Sequence, residues 1–249
     1  MPLPEIDFLE LNMLSCLGHS PNGLVYEVLD RDRIRRIVKF PGTAWERQLH
    51  LEFDGVPGVM PLLARVRHAD SPGVMMPRGD TDLHERLRVG DRFPATILVP
   101  VARAIDAIHQ RGFLHRDVHP GNFILWEGAW YLIDFGLSRD FSAGFRCDNG
   151  SHAVIRFAAP PQLQNQDEHP DDDWYSFFLV ALAVRHGAFP WDGQPNGPPL
   201  LLQKVRDPLH PFVDCPAQEA LLARCVARPG LGLEEVLARL AALDELIPG

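Results

Sequence analysis

The segment His115-Arg116-Asp117-Val118-His119-Pro120-Gly121-Asn122, followed by Ile133-Asp134-Phe135-Gly136, constrains this chain more than any other. Asp134 comes 17 residues after Asp117, and an apolar helical pattern precedes the first motif. An aspartate can orient an attacking hydroxyl and take its proton. An asparagine and a second aspartate can hold Mg²⁺ against the phosphates of a nucleotide. Oxygen-bearing side chains of these types at this spacing imply a phosphoryl-transfer site.

The order of elements agrees with such a site. Residues 11–40 alternate apolar and polar with Gly and Pro punctuation, which predicts strands over about 11–18, 23–30 and 35–40. Thr43 suits the N-cap of a helix running to about Phe53, with Trp45, Leu49 and Phe53 at helical spacing. Pro57 and Gly58 break it, and 61–67 and 73–77 read as two further strands. After Pro77 the pattern turns helical. Helices are predicted over 94–112, 171–187, 216–228 and 233–246, with a short one near Leu200–Arg206. Two units follow, a β-rich one over 1–77 and an α-rich one over 78–249.

Charge narrows the partners. The net charge is −9, so the basic footprint of a nucleic-acid binder is missing. Of 24 basic residues only Lys39 and Lys204 are lysine, so lysine at position 39 asks for a reason. The four cysteines, Cys16, Cys147, Cys215 and Cys225, show no C-x-x-C spacing, which implies a reduced, cytoplasmic setting. Cys147, His152 and the run His169 to Asp173 lack the paired spacings of structural zinc and read as unligated. Residues 1–5 do not resemble a signal peptide, and the longest apolar run, Phe177 to Val184, is too short for membrane insertion.

From about Leu14 to Leu240 the motifs, in their order, resemble the protein kinase-like superfamily, and a compact bacterial serine/threonine protein kinase within it. The resemblance implies an α+β, two-lobed fold with a small β-rich N-lobe and a larger α-rich C-lobe. Gly18-His19-Ser20-Pro21-Asn22-Gly23-Leu24-Val25 resembles the glycine-rich loop over the phosphates, with Ser20 in place of a glycine and Ser20-Pro21 expected to stiffen it. Gly18, Ser20, Gly23 and Val25 are its nucleotide-binding positions. Lys39 resembles the strand lysine that contacts phosphates, and Glu46 its carboxylate partner, with Glu52 as an alternative. Gly73 to Arg78 resembles the hinge beside adenine, with Met75 as the gating residue and Met76 at the nucleotide. Asp82 matches an acidic position that meets ribose and also suits a helix N-cap. Asp117 would be the hydroxyl-orienting base, and Asn122 and Asp134 the Mg²⁺ ligands. Arg116 would meet a phosphorylated loop residue or form a local ion pair. Asp173 would support the catalytic loop. His115 and Phe135 would pack in the core.

Two departures divide the functional reading. His119-Pro120 replaces the usual lysine of protein kinases and resembles the catalytic loop of aminoglycoside and choline phosphotransferases. His119 then meets the γ-phosphate or fills space. Ala158-Ala159-Pro160-Pro161-Gln162-Leu163 resembles the close of an activation segment, with Pro161 where a glutamate commonly anchors it to an arginine further on. Ser138, Ser142 and Ser151 are the hydroxyls of that segment, with Ser142 or Ser151 as the phosphosite candidate. The expected function is ATP- and Mg²⁺-dependent transfer to Ser or Thr of a protein substrate. A small-molecule or lipopolysaccharide-sugar kinase and a pseudokinase acting as a binding module are the alternatives.

Overall fold

The computed structural model describes residues 2–20, 23–141, 154–164, 166–194, 197–212 and 215–246. Pro21, Asn22, Ser142, Cys147, Ser151 and His152 lie outside them. In chain order the strands are β1 Glu5–Asp7, β2 Asn12–Ser20, β3 Gly23–Leu29 and β4 Arg35–Pro41. Helix α1 Ala44–Glu52 precedes β5 Ala64–His68, β6 Ser71–Pro77 and β7 Thr81–Asp82. Helices α2 Leu83–Arg88 and α3 Val99–Gln110 lead into β8 Phe113–Leu114, β9 Phe123–Trp126, β10 Ala129–Leu132 and β11 Arg139–Asp140. The chain continues through α4 Pro160–Leu163, α5 Pro170–His186, α6 Pro198–Arg206, α7 Pro216–Val226 and α8 Leu233–Leu246.

Six strands form one sheet in the order β1-β5-β6-β4-β3-β2, and most of the helices follow it, so the fold is α+β and two-lobed. Alternation along β4 fixes the faces of the sheet. Val38 lies opposite Met75, and both join the buried cluster with Ala64 and Val66. Ile37 lies opposite Met76 and Lys39 opposite Val74, so these residues share the other face. Thr43 caps α1, its hydroxyl accepting from the Glu46 N–H at 3.1 Å. Leu49 and Phe53 then bury one stripe of α1.

In the helical lobe, α5 is buried from Asp171 to Arg185 and continuously apolar from Phe177 to Val184, as suits a central helix. His169 and Asp172 form a capping box at its start, and Gly187, at φ 63°, ends it.

Several predicted bounds move. The helix expected over 94–112 begins as a 3₁₀ turn at Ala95–Leu98 and becomes α-helical only at Val99. Pro100 sits in the first helical turn, where its missing N–H costs nothing. The strand expected over 61–67 begins at Ala64, because Leu62 N–H turns to the Asp54 carboxylate at 3.0 Å. β1 was not legible as a strand. It pairs parallel with β5, and its partners lie some sixty residues away.

Candidate active site

The glycine-rich segment is a hairpin. β2 and β3 stay paired as far as Ser20 opposite Gly23, with Gly18 opposite Val25. Gly23 has φ 122°, and a Cβ there would meet the Phe40 carbonyl oxygen at 2.2 Å, so only glycine fits. Below the hairpin is a cavity of about 430 Å³. Val25, Leu17, Ile37, Met76, Ile124 and Ile133 give it apolar walls, and the chain from Pro77 to Asp82 forms one side.

Met76, not Met75, faces this cavity. Met75 lies on the opposite face of β6 in the cluster with Val38, so the gating role expected of it falls away. Asp82 lines the cavity, and its carboxylate accepts from the Glu85 N–H at 2.8 Å to cap α2, one of the two roles expected of it.

Lys39 Nζ lies 2.5 Å from Glu46 Oε1 and 2.8 Å from Asp134 Oδ1. Glu46 is almost wholly buried, whereas Glu52 is exposed, so Glu46 is the glutamate that reaches Lys39. Burial opposes the Lys39 charge, but the carboxylates of Asp134 and Glu46 outweigh it and hold its pKa above the ordinary value. Asp134 is the converse. Burial works against its charge, and the Lys39 ammonium more than compensates, so its pKa is lowered. His50, one turn after Glu46, places Nε2 3.6 Å from the same Oε1. Its ring also packs edge-on against Phe135 at 5.3 Å, as Phe53 does at 4.9 Å. Helix α1 is thereby joined to the Asp134-Phe135-Gly136 segment by packing as well as by charge.

The catalytic-loop motif is held from below by Asp173. Its carboxylate accepts from the His115 and Arg116 N–H groups, each at 2.8 Å, and from His109 Nε2 at 2.8 Å. Arg116 and Asp134 both adopt left-handed backbone, at φ 69° and 64°. Non-glycine residues there store on the order of 1 kcal/mol or more, which such bonds must offset. Asn122 Nδ2 donates to Asp117 O at 2.9 Å and Oδ2 at 3.2 Å. Ile133 N–H donates to Asn122 O at 3.0 Å, setting Asn122 beside the residue before Asp134. His119 Nδ1 accepts from Gly121 N–H at 3.1 Å, so its remaining proton sits on Nε2, 3.6 Å from Asp117 Oδ2. His115 and Phe135 are buried, their rings 5.5 Å apart.

Arg116 takes the local ion pair. Its Nη2 lies 2.5 Å from Glu168 Oε1, and its Nη1 donates to Leu137 O at 2.9 Å. Gln162 Nε2 donates to Arg116 O at 2.8 Å, so residue 162 secures the loop although Pro161 brings no carboxylate. Arg228 bonds to Asp172, at 2.9 and 3.1 Å.

A second cavity, of about 530 Å³, adjoins His119 and Gly121 and is walled by Arg156, Phe157, Phe189 and Asp192. Among the described residues no group of three or more His, Cys, Asp or Glu side chains is placed to hold a metal. The oxygen donors of Asn122 and Asp134 still suit a hard cation shared with phosphate. Asn122 spends its amide nitrogen on Asp117, which frees Oδ1, and Asp134 spends Oδ1 on Lys39 and on the Gly136 N–H, which frees Oδ2.

Sequence reasoning missed Leu17, Ile37, Ile124, Ile133, His50, Glu168 and Gln162. Ile37 carried a signal, since two residues before Lys39 on a strand is the same face. Glu168 carried none, because nothing local ties it to Arg116.

Residues 44–208 match the family model described as protein kinase domain. Serine/threonine-protein kinase PknK of Mycobacterium bovis is 28% identical over 222 residues, 80% of this chain and 19% of that protein. A probable serine/threonine-protein kinase of Dictyostelium discoideum is 33% identical over 104 residues, 37% of this chain and 21% of that protein. Ribosomal protein S6 kinase alpha-2 of Mus musculus is 27% identical over 145 residues, 56% of this chain and 20% of that protein. The chain spans about a fifth of the length of these relatives.

Proposed function

Because this chain belongs to the protein kinase domain family, we propose that it transfers the γ-phosphoryl group of ATP to a Ser or Thr hydroxyl of a protein. The observation that carries this reading is Lys39 bridging Glu46 and Asp134, with Asp117 hydrogen-bonded to Asn122. The apolar cavity under the hairpin takes the adenine ring, between Val25 and Ile37 on one side and Ile124 and Ile133 on the other. Asp82 is placed for the ribose. Gly18, Ser20 and Gly23 supply backbone over the phosphates. Lys39 contacts them through its ammonium and is oriented by Glu46.

Asn122 and Asp134 would hold Mg²⁺, which neutralises phosphate charge when bound. The Asp117 carboxylate orients the acceptor hydroxyl and receives its proton. The acceptor oxygen bonds to the γ-phosphorus as the bond to the ADP oxygen breaks. Catalysis of this kind is mainly positioning and charge neutralisation. His119 Nε2–H lies beside Asp117 and is placed to meet the transferring phosphoryl group.

The two lobes divide at Pro77 and Arg78 in this reading. The setting is cytoplasmic, and no helix among the described residues is long and apolar enough to cross a membrane. The net charge of −9 argues against a nucleic-acid partner.

A second reading, a small-molecule or lipopolysaccharide-sugar kinase, draws on His119-Pro120 and the cavity beside them. A third is a pseudokinase acting as a binding module. Transfer of label from γ-labelled ATP with Mg²⁺, native against Asp117→Asn, separates them. Label on a basic protein acceptor that the substitution abolishes supports the protein kinase. Label only on small hydroxyl compounds supports the second reading. ATP binding without turnover supports the third.

A further inference from the structure

The other lysine of the chain is also buried, and the transfer chemistry makes no use of it. Lys204, on α6, has no exposed surface. Its Nζ donates to Arg156 O at 2.9 Å and Ile155 O at 3.2 Å. The ammonium also sits over the rings of Trp191, 4.9 Å from the centroid, and Tyr175, at 5.4 Å. Among the described residues no carboxylate pairs with it, and the nearest charge of consequence is the like charge of Arg156. An ammonium taken from water without a counter-ion costs several kcal/mol. Two carbonyls and two aromatic faces offset part of that cost. A leucine or methionine in this place would fill the volume more cheaply, but would leave both carbonyls without a donor.

The carbonyls in question belong to the wall beside the reacting groups. Val154, Arg156 and Phe157 line the cavity next to His119 and Gly121. A smaller crevice joins Val154, Phe157 and Ala158 to Asp117 and His119 themselves. The Arg156 side chain donates to Trp191 O and Gln194 O, each at 2.9 Å, and to Pro190 O. The backbone of residues 155–156 is thus tied to α6, and the Arg156 side chain to the loop after α5. Immediately downstream stands Pro161, which offers no carboxylate for a clamp.

We infer that Lys204 is a positioning residue for the acceptor: its ammonium fixes residues 155–157, and through them the wall against which the acceptor hydroxyl is presented to Asp117. The inference rests on the proposed transfer to an acceptor bound beside His119. It adds that the acceptor wall of this chain is held by a buried lysine rather than by a carboxylate of the Pro161 position.

The test is Lys204→Met in the full chain, read by acceptor kinetics and by amide hydrogen exchange of residues 154–159. Methionine conserves the volume and removes the donors and the charge, so the variant folds with a Tm equal to or above the native one. The acceptor KM rises roughly tenfold while the KM for ATP is unchanged, the pattern of a displaced acceptor wall. Exchange at residues 154–159 accelerates, and Lys204→Arg, which keeps donors and charge, restores part of both effects.

A folded Lys204→Met chain with native acceptor KM, or with native exchange at 154–159, overturns the inference. If Lys204→Met and Lys204→Gln both fail to fold, the role is structural and the inference also falls. A native chain that transfers no phosphoryl group strikes the proposed function. Accelerated exchange in the variant would then still support the anchor.

Discussion

The proposed nucleotide side and the proposed acceptor side of the cleft each bury one lysine, and the two lie in opposite surroundings. Lys39 has carboxylates at 2.5 and 2.8 Å, which hold its pKa above the ordinary value against the effect of burial. Lys204 has carbonyls and aromatic rings, and burial drives its pKa well below the ordinary value. In a chain with 22 arginines, lysine at both places reflects its compact, multi-donor ammonium. The difference lies in what surrounds that group. With carboxylates it forms an ionic centre that phosphate can join. Without them it is a tether for backbone, and its charge is a burden on stability that the tether offsets only in part.

The largest effect that would break this comparison is at Lys39. Lys39→Met should lower kcat/KM for transfer by roughly 10² to 10³-fold, the scale of losing one preorganised electrostatic contact. It should also lower unfolding free energy by about 3 kcal/mol, because Glu46 is left buried and unpaired. Urea unfolding of Lys39→Met beside Lys204→Met destabilises only the former if the comparison holds, and equal destabilisation of both would end it.

Next comes Glu168→Gln, which leaves Arg116, itself nearly buried, with a neutral acceptor. A loss of about 2 kcal/mol in urea unfolding is expected. No loss would mean that the acceptor side does not depend on this pair. Met76→Ala acts on the nucleotide side alone. It should raise the Kd for ATP roughly tenfold by removing apolar contact, and leave the acceptor KM unchanged. A change in acceptor KM would show that the two sides are not separable.

The smallest effect sharpens the comparison through pH. The folded-state pKa of Lys204 is below the unfolded value of 10.5, so folding favours its neutral form. Its cost to stability is therefore full below the depressed pKa and relieved as pH rises toward 10.5. The Tm advantage of Lys204→Met over native should be greatest at neutral pH or below and should shrink as pH approaches 10.5. An advantage that grows with pH would contradict the unpaired lysine.

Much of the site was legible because its chemistry is encoded in short segments. The strands that carry Gly23, Lys39 and Met76, the Thr43 cap and the Asp117 to Asn122 loop are set within a few residues by alternation, capping and turn chemistry. Where local signals were equal, sequence did not decide. Glu46 and Glu52 are the same residue type on one helix, about 240° apart around its axis, and packing turned one of them inward. Met75 and Met76 differ by one strand position, hence by one face, and only the pairing of Ile37 with Met76 shows which face holds the cavity.

By itself, then, the sequence determined the order of the elements, the residues of the candidate site and the unusual standing of Lys39. Tertiary structure decided the partners: Glu46 for Lys39, Glu168 for Arg116, Asp172 for Arg228, and the carbonyls of residues 155 and 156 for Lys204. The physical reason is range. A cap, a turn or a strand face is set by neighbours one to four residues away. A buried charge takes its partner from whatever the packed core brings within about 3 Å, and that placement belongs to the whole fold.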